Sequence, residues 1–222
     1  MQNRWGVAGM IAGLVWLVLC GLAVDAAHPS PIPITQGPTT GATHGVSATG
    51  LVVETLPTLD AFAAMLNVNR PGVIAGVYVT NTLALRAVQQ PLTNPAYVSA
   101  ATSTVTQFAL AAQYGAIGLL AHNYLAGAQF ANLTLGQDLQ IIYTDGAMRR
   151  YVITSARRFQ ALAPDDPYST FVDLDQGGAQ LSSTELFNQV YTVSNRVVLQ
   201  TCIAANGNLS WGRLFLIATP VP

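Results

Sequence analysis

Apolar positions in this chain fall in short runs, each closed by glycine, asparagine, aspartate, proline or threonine, and no run repeats at a fixed period. In "TLDAFAAML" (58–66), Leu59, Phe62, Ala63 and Leu66 share one helical face and Thr58 stands at the N-cap, which predicts a helix. "VIAGVYV" (73–79) and "LALRAVQQ" (83–90) read as strands joined by a turn at Thr80–Thr82. "VSAATSTVTQFALAAQYG" (98–115) carries a second helical pattern that ends at Gly115. "AIGLLAH" (116–122) is a short apolar strand ending at His122. "DLQIIYT" and "RRYVITSARRF" flank Asp145-Gly146, a strong hairpin signal. Segment 162–182 reads as an irregular acidic loop, and Ser182 with Glu185 forms a capping box opening a short helix through Phe187. "RVVLQTC" (196–202) and "RLFLIAT" (213–219) are the last strands, linked around Asn206-Gly207. Many short strands, a few short helices and no βαβ alternation predict a mainly β, antiparallel, barrel-like domain.

Composition narrows the function classes. The chain has 222 residues, of which 51% are hydrophobic and 9% charged, so one domain with a sizeable core is expected and disorder is not. Formal net charge is −1 and every basic residue is arginine. The pairs Arg149–Arg150 and Arg157–Arg158 read as solvated strand faces, so nothing here offers a footprint for nucleic acid.

Residues 1–27 hold Arg4, an uncharged apolar run from Val7 to Val24, and small residues near Asp25. This reads as a signal peptide cut near Val24-Asp25-Ala26, or as a membrane anchor, which the length of the run favours. Residues 28–50, rich in Pro, Ser, Thr and Gly, read as a spacer, leaving 51–222 as an exported domain at the cell surface.

Scarcity singles out three residues of that domain. His122 is its only histidine, since His28 and His44 lie in the spacer, and Cys202 is its only cysteine, since Cys20 lies in the leader. Arg213 is the first charged residue after Arg196. Each sits at the end of an apolar strand, where a side chain emerges from a rigid wall. A thiolate nucleophile needs an imidazole to exchange its proton, and a tetrahedral intermediate on a carbonyl needs a fixed positive donor. Cys, His and Arg together make a minimal acyl-transfer set. Taken singly, each also has a plain structural reading: a small buried hydrophobe, a satisfied core histidine, a strand-edge arginine.

"VVLQTC", with Leu199, Gln200, Thr201 and Cys202, resembles the signature strand of sortases, which ends in Leu-x-Thr-Cys. "GRLFLIA" (212–218) resembles the sortase strand that opens with the active-site arginine, and residues 118–153 resemble the family's histidine segment. The order His122, Cys202, Arg213 agrees with the family, while Val198, Ala121 and Asn123 depart from its common contexts and leave the sub-class unassigned. The resemblance implies a closed eight-stranded β-barrel with a few short helices, working as a cysteine transpeptidase. Cys202 would attack a C-terminal sorting motif of the Leu-Pro-x-Thr-Gly kind in exported proteins. His122 would be proton donor and then base, Arg213 would hold the oxyanion, and Thr201 would line the substrate site. An amine of a cell-wall precursor or pilin would resolve the thioacyl enzyme. No cofactor is implied beyond the calcium some members bind; Asp173-x-Asp175-x-Gly177 is a weak match to a calcium loop and reads rather as a solvated loop.

Two rival classes stand beside this one. An L,D-transpeptidase would want Gly before the cysteine and Arg soon after it, where this chain has Thr201 and Ile203-Ala204-Ala205. A non-catalytic or degenerate exported β-barrel that only binds peptide would not need Cys202, His122 and Arg213 intact.

Overall fold

A computed structural model describes residues 56–221; the leader, the spacer and Cys20 lie outside the described residues. Among the described residues no helix is long and apolar enough to cross a membrane.

Local chemistry starts most elements where the pattern predicts them. Helix α1 (Leu59–Leu66) begins at Thr58, whose Oγ1 accepts from the Ala61 N–H at 3.3 Å. It lays Phe62 and Leu66 on Tyr78 and Ile142. Gly76 permits that approach, because a Cβ there would lie 2.5 Å from the Leu66 side chain. Strands β1 (Ile74–Val79) and β2 (Leu83–Gln89) form the first hairpin.

Residues 98–115 depart from expectation. Instead of one helix, Thr104–Gln107 form strand β3, and only Ala109–Gln113 are helical (α2), closed by Gly115 at φ 76°. The run Thr104-Val105-Thr106 is β-branched and stiff at χ1, and it fills a gap between two strands. It pairs in parallel with β2 (Arg86↔Thr104) and antiparallel with β4 (Ile117–Leu120) through Thr106↔Leu120.

After β4 a 3-10 helix (Ala126–Asn132) leads to the hairpin of β5 (Asp138–Tyr143) and β6 (Met148–Ala161). The acidic segment is not wholly irregular: it contains β7 (Phe171–Asp173) and β8 (Gln180–Leu181), which extend the sheet from the far half of β6. Helix α3 (Ser183–Tyr191) opens on the capping box of Ser182 and Glu185. It runs past Phe187, because Val190 and Tyr191 continue its apolar face into the core. Strands β9 (Val197–Ala205) and β10 (Asn208–Pro220) meet at Asn206-Gly207, both with positive φ (53° and 77°), as a two-residue hairpin turn requires.

The strand order is β10-β9-β4-β3-β2-β1-β5-β6, and β6 pairs back onto β10, closing a barrel of eight strands. The sheet is not purely antiparallel, since β2–β3 and β4–β9 run parallel. Inside the barrel pack Val77, Leu85, Leu119, Ile141, Leu199 and Leu216. A second core lies outside it, where α2 and α3 cover the sheet with Phe108, Phe159, Phe171, Phe187, Tyr191 and Phe215. Burying each such side chain is worth about 1.5–3 kcal/mol, and the second core thus fixes the outer face of β9 and β10 as firmly as the first fixes the inner.

Candidate active site

Alternation along β9 sends Leu199 into the barrel and Val198 into the outer core. Gln200 continues the outer series: its Oε1 accepts from the Tyr191 hydroxyl at 2.6 Å, both groups buried. Cys202 is next on that face and is buried. Its antiparallel partner on β10 is Arg213, and directly opposed residues present their side chains to the same face.

His122 reaches the same place from β4. The parallel β4–β9 pair aligns Leu120 with Gln200, and the Ala121 N–H donates to the Gln200 carbonyl at 3.1 Å. Both chains run toward the same end of the sheet, so His122 and Cys202 each lie two residues beyond the Leu120/Gln200 pair. Leu120 belongs to the outer core and Ala121 to the inner one, which gives His122 the outer parity shared by Cys202. The structure thus brings the three scarce residues to neighbouring positions, but only His122 stands past a strand end: Cys202 and Arg213 lie within β9 and β10, which continue beyond them to the hairpin turn, so the expectation that both sit at strand ends is corrected.

Thr201, expected to line the substrate site, also braces the sheet. It is buried with inward parity, and its Oγ1 donates to the Ala121 carbonyl at 2.9 Å, holding the end of β4 against β9. Gly127 fits beside it, since a Cβ at that position would collide with Thr201 Oγ1 and the His122 carbonyl.

The His122 ring stacks on Tyr124 with centroids 5.2 Å apart and planes at 24°. Partial burial lowers its pKa below the ordinary 6.5, and hydrogen bonding to the Val98 backbone only partly offsets this. The imidazole is therefore mainly neutral at pH 7, with Nδ1 buried and lacking a hydrogen-bond partner among the described residues.

Arg213 is fully buried. Its Nη1 donates to the carbonyls of Ser210 (2.8 Å) and Gly212 (3.0 Å), Nη2 reaches the Pro164 carbonyl at 3.5 Å, and the guanidinium lies 5.8 Å from the Phe171 ring. Burial pulls its pKa down to about 10 against the opposing pull of Asp165, so the group stays charged at neutral pH. Nε has no partner. Cys202 is disulfide-bonded in this structure, and the described residues hold no free cysteine. A thiolate role accordingly belongs to the reduced sulfur.

The acidic segment is tied down by arginines of β6. Asp173 is buried; its Oδ2 meets Arg157 Nη2 at 2.5 Å, and its Oδ1 accepts from the N–H groups of Asp175 and Gln176 at 2.9 and 3.0 Å. Asp175 in turn binds Arg158 at 2.6 Å. Among the described residues no cluster of three or more His, Cys, Asp or Glu side chains could hold a metal ion. The sequence pattern carried no signal for these pairs, because their partners lie 16 and 17 positions apart on different elements.

No protein-family model matches the sequence, and no curated protein matches it. Solved structures similar to this chain include sortase C-1 from Actinomyces oris, with 14% identity, a TM-score of 0.46, and coverage of 78% of this chain and 85% of that one. Sortase E1 from Streptomyces coelicolor, solved with a tripeptide in its active site, shows 15% identity and a TM-score of 0.42, covering 68% of this chain and 88% of that one. Sortase A from Listeria monocytogenes shows 12% identity and a TM-score of 0.40, covering 68% and 89%.

Proposed function

We propose that this chain is a sortase-like cysteine transpeptidase. The observation that carries the reading is the register: Cys202 opposes Arg213 directly, and β4 ends so that His122 comes level with Cys202. In the reduced protein the Cys202 thiol passes its proton to the neutral His122 imidazole, and the thiolate attacks a peptide carbonyl. Arg213, charged and held by backbone carbonyls, faces the oxyanion. The C–N bond breaks as the C–S bond forms, and the imidazolium returns its proton to the departing amine. An incoming amine reverses the steps: it loses a proton to His122, forms a new C–N bond and expels the Cys202 thiolate.

The substrates in this reading are exported proteins bearing an LPXTG-like C-terminal motif, and the acceptor is an amine of a cell-wall precursor or pilin. The protein works at the cell surface, anchored through its N-terminal segment, without a cofactor. The reduced chain, given a library of sorting-motif peptides with and without an added amine, should yield a thioacyl adduct by mass spectrometry and amine-dependent product. Cys202→Ala should abolish both, and cleavage surviving that substitution would sink the reading.

A further inference from the structure

We propose that Asn123 is a positioning residue, fixing His122 relative to Arg213 through a bulge in β10. This inference rests on the transpeptidase reading for its kinetic consequences, though not for its geometry.

Between the pairs Asn208↔Ala205 and Gly212↔Ile203, β10 spends four steps where β9 spends two. The two extra residues form a bulge across Leu209, Ser210 and Trp211, outside the ladder on the β9 side and before the β6 pairing begins at Gly212. Bulges re-aim groups that a regular ladder would hold in place. Here the re-aimed groups are carbonyls: Leu209 accepts from Asn123 Nδ2 at 2.9 Å, and Ser210 accepts from Arg213 Nη1 at 2.8 Å. Asn208 pins the bulge from behind, its Oδ1 accepting from the Ser210 N–H at 2.7 Å. One short segment of β10 therefore grips both the guanidinium and the residue that follows the imidazole.

Asn123 suits this task chemically. The Leu209 carbonyl can only accept, so the amide nitrogen must face it, and the orientation of the whole side chain follows. Asparagine in a turn commonly bonds its own backbone two residues on, whereas this one crosses 86 positions. The His122 ring itself is held by its hydrogen bond with the Val98 backbone and its stack on Tyr124. Among the described residues Nδ1 lacks a hydrogen-bond partner, and one face leans on the half-exposed Tyr124, while the backbone is set by Leu125 and Gly127 donating to the His122 carbonyl at 3.0 Å each. A tether at the next residue fixes the backbone from which the ring meets those two partners.

The test uses the full-length, reduced chain with Asn123→Ala, the volume-conserving Asn123→Leu, Asn208→Ala, and Asn123→Leu combined with Asn208→Ala. Thermal melts establish that each is folded. Two readouts are taken: kcat and KM for peptide cleavage, and the NMR titration of the His122 ring, assigned with His122→Gln, which needs no substrate. Both Asn123 variants should lose about tenfold in kcat with KM little changed, the scale expected when a reacting group is misplaced by a fraction of an ångström. Their His122 midpoint should rise toward the ordinary 6.5 as the ring gains solvent. Asn208→Ala should act in the same direction, and the double variant should be no worse than Asn123→Leu alone. An unmoved midpoint in folded Asn123→Leu, an unmoved kcat, or losses that multiply in the double variant overturns the inference. A parent protein that cleaves no peptide overturns the transpeptidase reading instead, and the titration then decides on Asn123 by itself.

Discussion

Cys202 and Arg213 stand directly opposite each other on β9 and β10, with the arginine strand hydrogen-bonded on its other side to β6. An opposed antiparallel pair keeps its Cβ atoms about 5 Å apart, and flanking ladders on both sides leave the pair little freedom. The guanidinium is held by carbonyls of its own strand, which leaves it charged without a carboxylate bonded to it in the described structure. In the proposed reaction this buried cation is the donor that would meet the developing oxyanion.

Arg213→Ala should therefore lower turnover by about a hundredfold to a thousandfold, the cost of removing one oxyanion donor. Arg213→Lys should recover little, since an ammonium cannot reach the Ser210 and Pro164 carbonyls in the same fork. Steady-state kinetics on the cleaved peptide decide this; a near-parental rate in either variant removes Arg213 from the reaction.

His122 sets the acidic limit. Its folded pKa lies below 6.5 because burial penalises the imidazolium. The neutral ring that accepts the proton of the incoming amine is thus fully available above pH 6.5, and the amine-transfer rate should fall only as pH drops through the lowered value. Protonation also opposes folding, so the His122 contribution to stability is complete above 6.5 and lost below the folded pKa. A pH–rate profile with its acidic limb above 6.5 would contradict the assignment.

Chelation should leave the rate unchanged. The carboxylates of Asp173 and Asp175 are already held by Arg157, Arg158 and backbone N–H groups. Asp173→Asn should instead destabilise the protein by about 3 kcal/mol, since it breaks a largely buried pair and leaves Arg157 uncompensated. Urea melts with and without EDTA test both statements; a chelator-induced loss of activity would show that a cation does what the arginines are credited with here.

Tyr191→Phe tests how firmly α3 holds the wall of the site. The substitution leaves the buried Gln200 Oε1 without its donor at 2.6 Å, which should cost about 1–3 kcal/mol. Denaturation should show a lowered midpoint with an unchanged slope. A stability equal to the parent's would mean that the side chain of Gln200 re-pairs locally.

Elements governed by neighbours within a few residues were legible from the chain. Thr58 and Ser182 start their helices because a hydroxyl caps an N–H three residues on, and Asn206-Gly207 turns because both residues tolerate positive φ. The closing strands could be read for the same reason, although they run on past Cys202 and start before Arg213, so that both residues lie inside them and not at their ends. Segment 98–107 could not. Its alanines, serines and threonines suit either a helix face or a strand, and the open positions beside β2 and β4 settled the matter through long-range pairing. The hold that Thr201 has on the Ala121 carbonyl was not legible either, because it joins residues 80 positions apart across the parallel β4–β9 pair.

What the sequence by itself determined is the supply of chemistry: between residues 51 and 222 one imidazole, His122, and one thiol sulfur, Cys202, with Arg213 the first charged residue after Arg196, each carried by an apolar run. What tertiary structure alone decided is their meeting, through a parallel β4–β9 pair, an antiparallel β9–β10 pair and a bulge that turns two carbonyls toward Asn123 and Arg213. The physical reason is range. Caps and turns are satisfied within one or two turns of chain, whereas register and bulges are chosen by which distant strands can bury the same face together.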